Sequence, residues 1–446
     1  MVSLRVFLMI VGTLVIRQIS KGISGYPVEH ALALMTAYCT AFAVVSKFAA
    51  VLATVNRSDS QTDSEVHALG AFVSYRRLLE LAWIVLLPAA LIISGWGGLI
   101  EQGADEGRPH AIIFAAWLAP SLVFLALLDL SEAQLILHLN DNTSRRHAEN
   151  KRTAEPIHNS LDLWLQLLRI GPVGGALLCI VPMLVLVAAL DVTRFFVPNL
   201  SNGGQAVAAA GLMFLLIVGA APKWMSLWMG AVRPNDDRTQ RRVSNLCRSL
   251  RIAGPKVEVI PAGRAWNGAA VVGWSRFNRR LWIGESLFKQ LTATELDMVV
   301  LHELAHLKRH HAAWRALPII GSAAIAALLL ASSSLWLGSA EAELMDAARR
   351  AWLESCVEGA TICAAVVGMA WGLGAAAKAC EFDADRRACL MAADHCEWAA
   401  GRPHRAAAAL VAALHNLAGS REELNRASWL HPPCEKRCEE LAVFRR

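Results

Sequence analysis

Leu301-His302-Glu303-Leu304-Ala305-His306-Leu307 is the stretch on which the fold of this chain turns. His302 and His306 stand four apart. On a helix that spacing puts both rings on one face, one turn from each other. The residues just before predict such a helix. Thr292-Ala293-Thr294-Glu295 has capping-box spacing. Leu296, Met298, Val299, Val300, Leu301 and Leu304 supply an apolar body, and no Gly or Pro interrupts it before the motif ends. Two imidazoles so placed can bind one Zn²⁺, with Glu303 beside them to take a proton from water. The bland alternative is a surface helix that happens to carry two His and a Glu. The cap, the apolar body and a third candidate ligand weigh against it.

A metal that activates water needs a third protein ligand and an open position. No Gly turn follows the motif, and position 312 is Ala312. His310 and His311 are expected to continue the same helix, point away from the pair and sit solvated at its C-terminal end. The better candidate lies in Glu381-Phe382-Asp383-Ala384-Asp385-Arg386-Arg387-Ala388. Glu381 and Asp385 share a helix face. Glu381 is the expected third ligand, and Asp385 is expected to hold a ligand His through its other ring nitrogen. Taken alone, this segment reads as a charged helix with solvated salt pairs. Together with residues 302–306 it reads as the rest of a metal site.

Around these segments the chain is apolar. Hydrophobic residues make up 55% of its 446 residues and charged ones 18%, with a mean hydropathy of +0.40. Soluble domains carry about 25% charge. Runs at 31–55, 81–100, 111–130, 171–190 and 206–221 are long and apolar, and two more follow near 316–337 and 360–377. A shorter run at 6–16, after Arg5, is expected to be an uncleaved first span, giving about six spans before residue 232. The loop 56–80 carries Arg57, Arg76 and Arg77, and the loop after 130 carries Arg145, Arg146, Lys151, Arg152 and Arg169. The intervening loops carry fewer basic residues or are dominated by acids. This bias places the polar stretch from 233 and the C-terminal segment in the cytoplasm. The net charge of +6 comes with no nucleic-acid-binding module, so no nucleic-acid partner is expected. The ten cysteines form no C-x-x-C pair, and Cys434 and Cys438 are expected to be free thiols rather than a second metal site.

The order H-E-x-x-H, two apolar runs, then Glu-Phe-Asp-Ala-Asp resembles the membrane-embedded zinc metallopeptidase family of the bacterial heat-shock protease HtpX and the CAAX prenyl protease. Trp429-Leu430-His431-Pro432-Pro433-Cys434-Glu435-Lys436-Arg437 is similar to that family's His-Pro-Pro stretch ending in Arg. The resemblance covers roughly residues 233 to 446. It implies a mainly α fold, with polytopic membrane helices and a cytoplasmic zincin-like (α+β, gluzincin) catalytic domain. It implies one Zn²⁺ per chain on His302, His306 and Glu381, catalysis by Glu303 with His431 and Arg437 nearby, and Asp385 behind a ligand. Residues 257–261, 268–272 and 281–284 alternate like short strands. Asn267, Gly268 and Ala269 stand where the family has a substrate-binding edge strand, with Gly268 in place of an Ala. The implied organisation is a multi-span region 1–232, a zincin-like domain 233–315, two membrane helices 316–377 and a C-terminal catalytic segment 378–446. The implied activity is zinc endopeptidase action on peptides or membrane proteins in a bacterial inner membrane, in quality control or peptide processing. The alternatives are a BlaR-type signalling peptidase, whose motif also runs into basic residues, and a membrane scaffold without activity. Glu303 argues against the scaffold, since no structural role needs an acid between two metal-binding His.

Overall fold

The computed structural model describes residues 28–55, 63–96, 109–147, 172–199, 202–234, 237–261, 268–273, 275–337, 346–418 and 428–445, with a few isolated positions such as Met9, Thr13, 99–100 and Trp164. Long uncharged runs become helices because hydrocarbon offers no partner to a free backbone N–H or C=O. Most of the apolar runs lie accordingly within α1 (Val28–Val55), α2 (Asp63–Ile93), α3 (His110–His147), α4 (Pro172–Phe196), α5 (Asn202–Met229), α9 (His311–Leu337) and α10 (Ala347–His395). Among the described residues, four stretches are long and apolar enough to cross a membrane: Glu29–Val51, His110–Leu137, His311–Trp336 and Cys356–His395. Except for Met9 and Thr13, the first short run lies outside the described residues.

The chain divides into two compact units, Met1–Met213 and Phe214–Arg446. The first has its own core of large apolar side chains from α1 to α4. Trp83 stacks on Phe124 at 4.1 Å, Tyr38 and Phe42 lie against Trp83, and the Trp83 indole N–H donates to the Ser121 hydroxyl at 3.2 Å. Arg76 is buried and pairs with Glu80, Asp129 and Glu132, joining α2 to α3.

In the second unit α6 (Asp237–Ser249) precedes a small sheet of β1 (Lys256–Ile260), β2 (Ala269–Val272) and β3 (Arg280–Gly284) in the order β1-β3-β2. β1 runs parallel to β3 and β2 antiparallel to it, with Ala269 opposite Ile283 and Val271 opposite Leu281. The strands match the expected positions to within one residue. A short helix, α7 (Leu287–Gln290), leads to α8 (Ala293–Lys308). The expected capping box is present: the Thr292 hydroxyl accepts from the Glu295 backbone N–H, and the Glu295 carboxylate accepts from the Thr292 N–H at 2.8 Å. The apolar face of α8 packs on β2, α10 and α11 (Pro403–Ala418), with Met298, Leu301, Leu304 and Ala305 fully buried. Arg242 on α6 grips Asp297 on α8 with two hydrogen bonds. α12 (Cys434–Leu441) closes the unit. α10 does not end with its apolar run at 377. It continues to His395, so one helix carries both apolar length and the segment 381–385.

Candidate metal and catalytic site

α8 does not continue through His310 and His311 as the sequence suggested. Its cap is Arg309, His310 takes a left-handed φ of 54°, and α9 begins at His311. A left-handed residue is a common way to stop a helix, and here it is filled without glycine. The reversal turns His311 inward, where it is buried rather than solvated. α9 and α10 pack together, and α10 lies along α8. The pairs α8/α10 and α9/α10 thus bring side chains from three helices to one place.

There His302, His306 and Glu381 converge. The two Nε2 atoms are 3.2 Å apart, and each lies 3.5 Å from one oxygen of Glu381. A tetrahedral ion with bonds of about 2.0–2.2 Å keeps its ligand atoms about 3.3 Å apart. The three groups therefore have the chemistry and the spacing of a site that can hold a metal ion. Glu381 and Asp385 are each only 2% exposed, so both carboxylates need partners. Asp385 accepts from His302 Nδ1 at 2.8 Å and from Arg437 through two contacts of 2.6 and 2.7 Å. Around Glu381 stand Arg315 at 2.9 Å, His431 at 3.3 Å and Arg437 at 3.6 Å. Glu303, between the two His, accepts from the Val271 backbone N–H on β2 at 3.0 Å.

The partners assign the ring protons. Asp385 calls for an N–H at His302 Nδ1, and a charged His302 would also present an N–H to His306 Nε2. His306 then donates from Nδ1 to His311 Nδ1 at 2.8 Å, and His311 donates from Nε2 to Asp383 at 3.0 Å. The acidities agree. Burial works against a charged His302, but the Asp385 carboxylate outweighs it and pushes the pKa up to about 10. Burial, and then the positive His302, hold His306 down to about 2. Burial raises Glu303 above the usual carboxylate range, opposed by His302. Burial also works against the Arg437 charge, but Asp385 more than restores it.

The structure thus gathers His302, Glu303, His306, Glu381, Asp385, His431 and Arg437. Trp429 seats the His431 segment: its indole N–H donates to the Ala370 carbonyl of α10 at 2.9 Å. Gly268 leads into β2, its carbonyl accepting from the Gly284 N–H at 2.8 Å, and Ala269 begins the strand. Asn267 lies outside the described residues. Sequence reasoning missed Arg315 and misplaced His311. The usable signal was their four-residue spacing at the start of an apolar run, which puts both on one face of α9.

Residues 234–443 match the model of Peptidase family M48. Over these residues, a little under half of the chain, the sequence is similar to that family. The match contains every residue of the site and leaves out α1–α5. A search of curated proteins found no match. Among solved structures, the crystal structure of Ste24p from S. mikatae is similar at 14% identity, covering 94% of this chain and 99% of that one with a TM-score of 0.44. M48 enzymes are zinc metalloproteases. Among the described residues four helices are also long and apolar enough to cross a membrane, which together with the family match supports a membrane metallopeptidase.

Proposed function

We propose that the protein is a zinc endopeptidase that cuts peptide bonds on the cytoplasmic side of a bacterial inner membrane. Its substrates are unfolded membrane proteins or membrane-associated peptides, in quality control or peptide processing. The observation that carries the reading is the triangle of His302, His306 and Glu381, with Glu303 beside it and Asp385 behind it. His302, His306 and Glu381 hold the metal, and Asp385 orients His302. Zinc supplies Lewis-acid polarisation of a carbonyl and of water. Glu303 takes the water proton and passes it to the leaving amine. Its hydrogen bond to Val271 keeps it aimed between β2 and the histidines. β2, entered through Asn267, Gly268 and Ala269, takes the substrate backbone by strand addition. His431 and Arg437 stabilise charge on the scissile carbonyl oxygen. Residues 1–232 and 316–377 anchor the catalytic segments 233–315 and 378–446. The basic loops on one side support the cytoplasmic placement.

The test is cleavage of an unfolded model protein by purified wild type and Glu303→Ala, with zinc and with a chelator. Chelator-sensitive cleavage by wild type alone is expected, with Glu303→Ala slower by about 10²–10⁴-fold and still loaded with metal. Equal activity of the two proteins would refute the assignment of Glu303.

A further inference from the structure

We propose that His311 and Asp383 are positioning residues that hold the metal-binding face of His306. The inference rests on the reading of His302, His306 and Glu381 as ligands. It adds a second route by which a carboxylate orients a ligand His. Asp385 acts on His302 directly. Asp383 acts on His306 through the ring of His311.

Geometry carries the argument. On one continuous helix, two residues five apart are rotated by about 140° and their side chains do not meet. The left-handed His310 breaks that continuity, and it is what lets His311 return to His306. Both nitrogens of His311 are then engaged, Nδ1 with His306 Nδ1 at 2.8 Å and Nε2 with Asp383 Oδ2 at 3.0 Å. A ring that only filled space would need neither alignment. Asp383 is itself steadied by Arg309 at 3.1 Å and by Arg387 at 3.8 Å.

The chemistry follows from the roles of the ring nitrogens. To bind a cation, His306 must present Nε2 with a free lone pair, so its proton must be on Nδ1. That proton needs an acceptor. His311 Nδ1 accepts only when the His311 proton is on Nε2, and Asp383 holds it there. One carboxylate therefore sets the tautomers of two rings. Groups that orient a ligand His in this way are worth about 10–100-fold in metal affinity.

The test uses the full-length protein in detergent. Zinc affinity is read by chelator competition, and the visible spectrum of the Co²⁺-loaded protein is read in parallel. The variants are Asp383→Ala, His311→Phe and His311→Asn, with Glu381→Ala as a control for the metal site itself. Asp383 is about a third exposed, so its loss leaves the core intact. Asp383→Ala and His311→Phe are expected to bind zinc about 10–100-fold more weakly and to shift the Co²⁺ spectrum. His311→Asn returns an acceptor near the position of Nδ1 and is expected to recover much of the affinity. Wild-type affinity and spectrum in Asp383→Ala and His311→Phe would overturn the inference, as would Phe outperforming Asn at 311, the order expected for packing alone. Equal zinc binding by wild type and Glu381→Ala would instead overturn the metal site, and this inference with it.

Discussion

Zinc loading should release one proton from the two histidines, not two. The Glu303→Gln protein is the one to use, because it leaves no titrating acid between the rings. The Nε2–Nε2 contact of 3.2 Å has room for a single proton, and the Asp385 carboxylate behind His302 favours its place on that ring. With His302 near a pKa of about 10 and His306 near about 2, the pair carries one proton throughout the neutral and mildly acid range. A metal that binds both nitrogens must expel it. Two ordinary imidazoles with pKa values of about 6.5 would together carry about 1.8 protons at about pH 5.5. Zinc affinity should therefore rise about tenfold per pH unit there, or about 1.4 kcal/mol, rather than approaching a hundredfold. The sign is fixed: protons compete with the ion, so affinity falls as pH falls. Titration calorimetry in buffers of different ionisation heat counts the protons directly. A count near two, or near zero, would refute the proton assignment drawn from the Asp385–His302–His306 contacts.

Asp385→Ala removes the partner of a buried guanidinium, since Arg437 makes its two closest charged contacts there. It should cost about 3–5 kcal/mol, read as a lower midpoint of thermal unfolding, and should also weaken zinc binding. Gly374→Ala would place a Cβ 2.9 Å from the Trp429 indole nitrogen. Trp429 and the following His431 must then shift, so turnover should fall while zinc stoichiometry holds. Unchanged turnover would detach His431 from catalysis. Gly372→Leu forces a side chain where even a Cβ would meet Pro318 at 2.9 Å. It should destabilise the α9–α10 pair by about 1–3 kcal/mol and lower zinc affinity at Glu381, about 14 Å along the same helix. Unchanged zinc affinity would show that the site does not depend on that contact.

What was legible in the sequence was local. The capping box, the apolar body of α8 and the four-residue His spacing are written within fifteen residues, and helix geometry turns them directly into structure. Asp385 could be foreseen because it repeats the same spacing from Glu381. The strands were readable from alternation. His311 was not, because its position depends on a single left-handed residue. That residue is His310, with no glycine to signal it. Arg315 was missed because its partner, Glu381, is distant in sequence and arrives only when α9 and α10 pack. Asp383 looked like a solvated acid, and one of its faces is. The other face matters only once His311 has turned inward.

The continuity of α9 and α10 ties the site to the apolar part of the molecule. His311 is the first residue of α9, and Glu381 lies on the same helix as Ala370 and Gly372. No loop separates Glu381, His311 or Arg315 from the apolar lengths, so any tilt of one helix against the other moves them relative to α8. Close contacts resist that tilt. Pro318 of α9 lies against Gly372 of α10, and Trp429 against Gly374, so the glycines let neighbours approach where any side chain would hold them off. The same two glycines lie two turns or so before Glu381, on the segment that also receives the Trp429 hydrogen bond at Ala370. The Trp429–His431 segment and α9 are thus fixed to one stretch of α10. That common support is what lets groups from α8, α9, α10 and the C-terminal segment meet around one buried carboxylate, Glu381, with contacts between 2.9 and 3.6 Å.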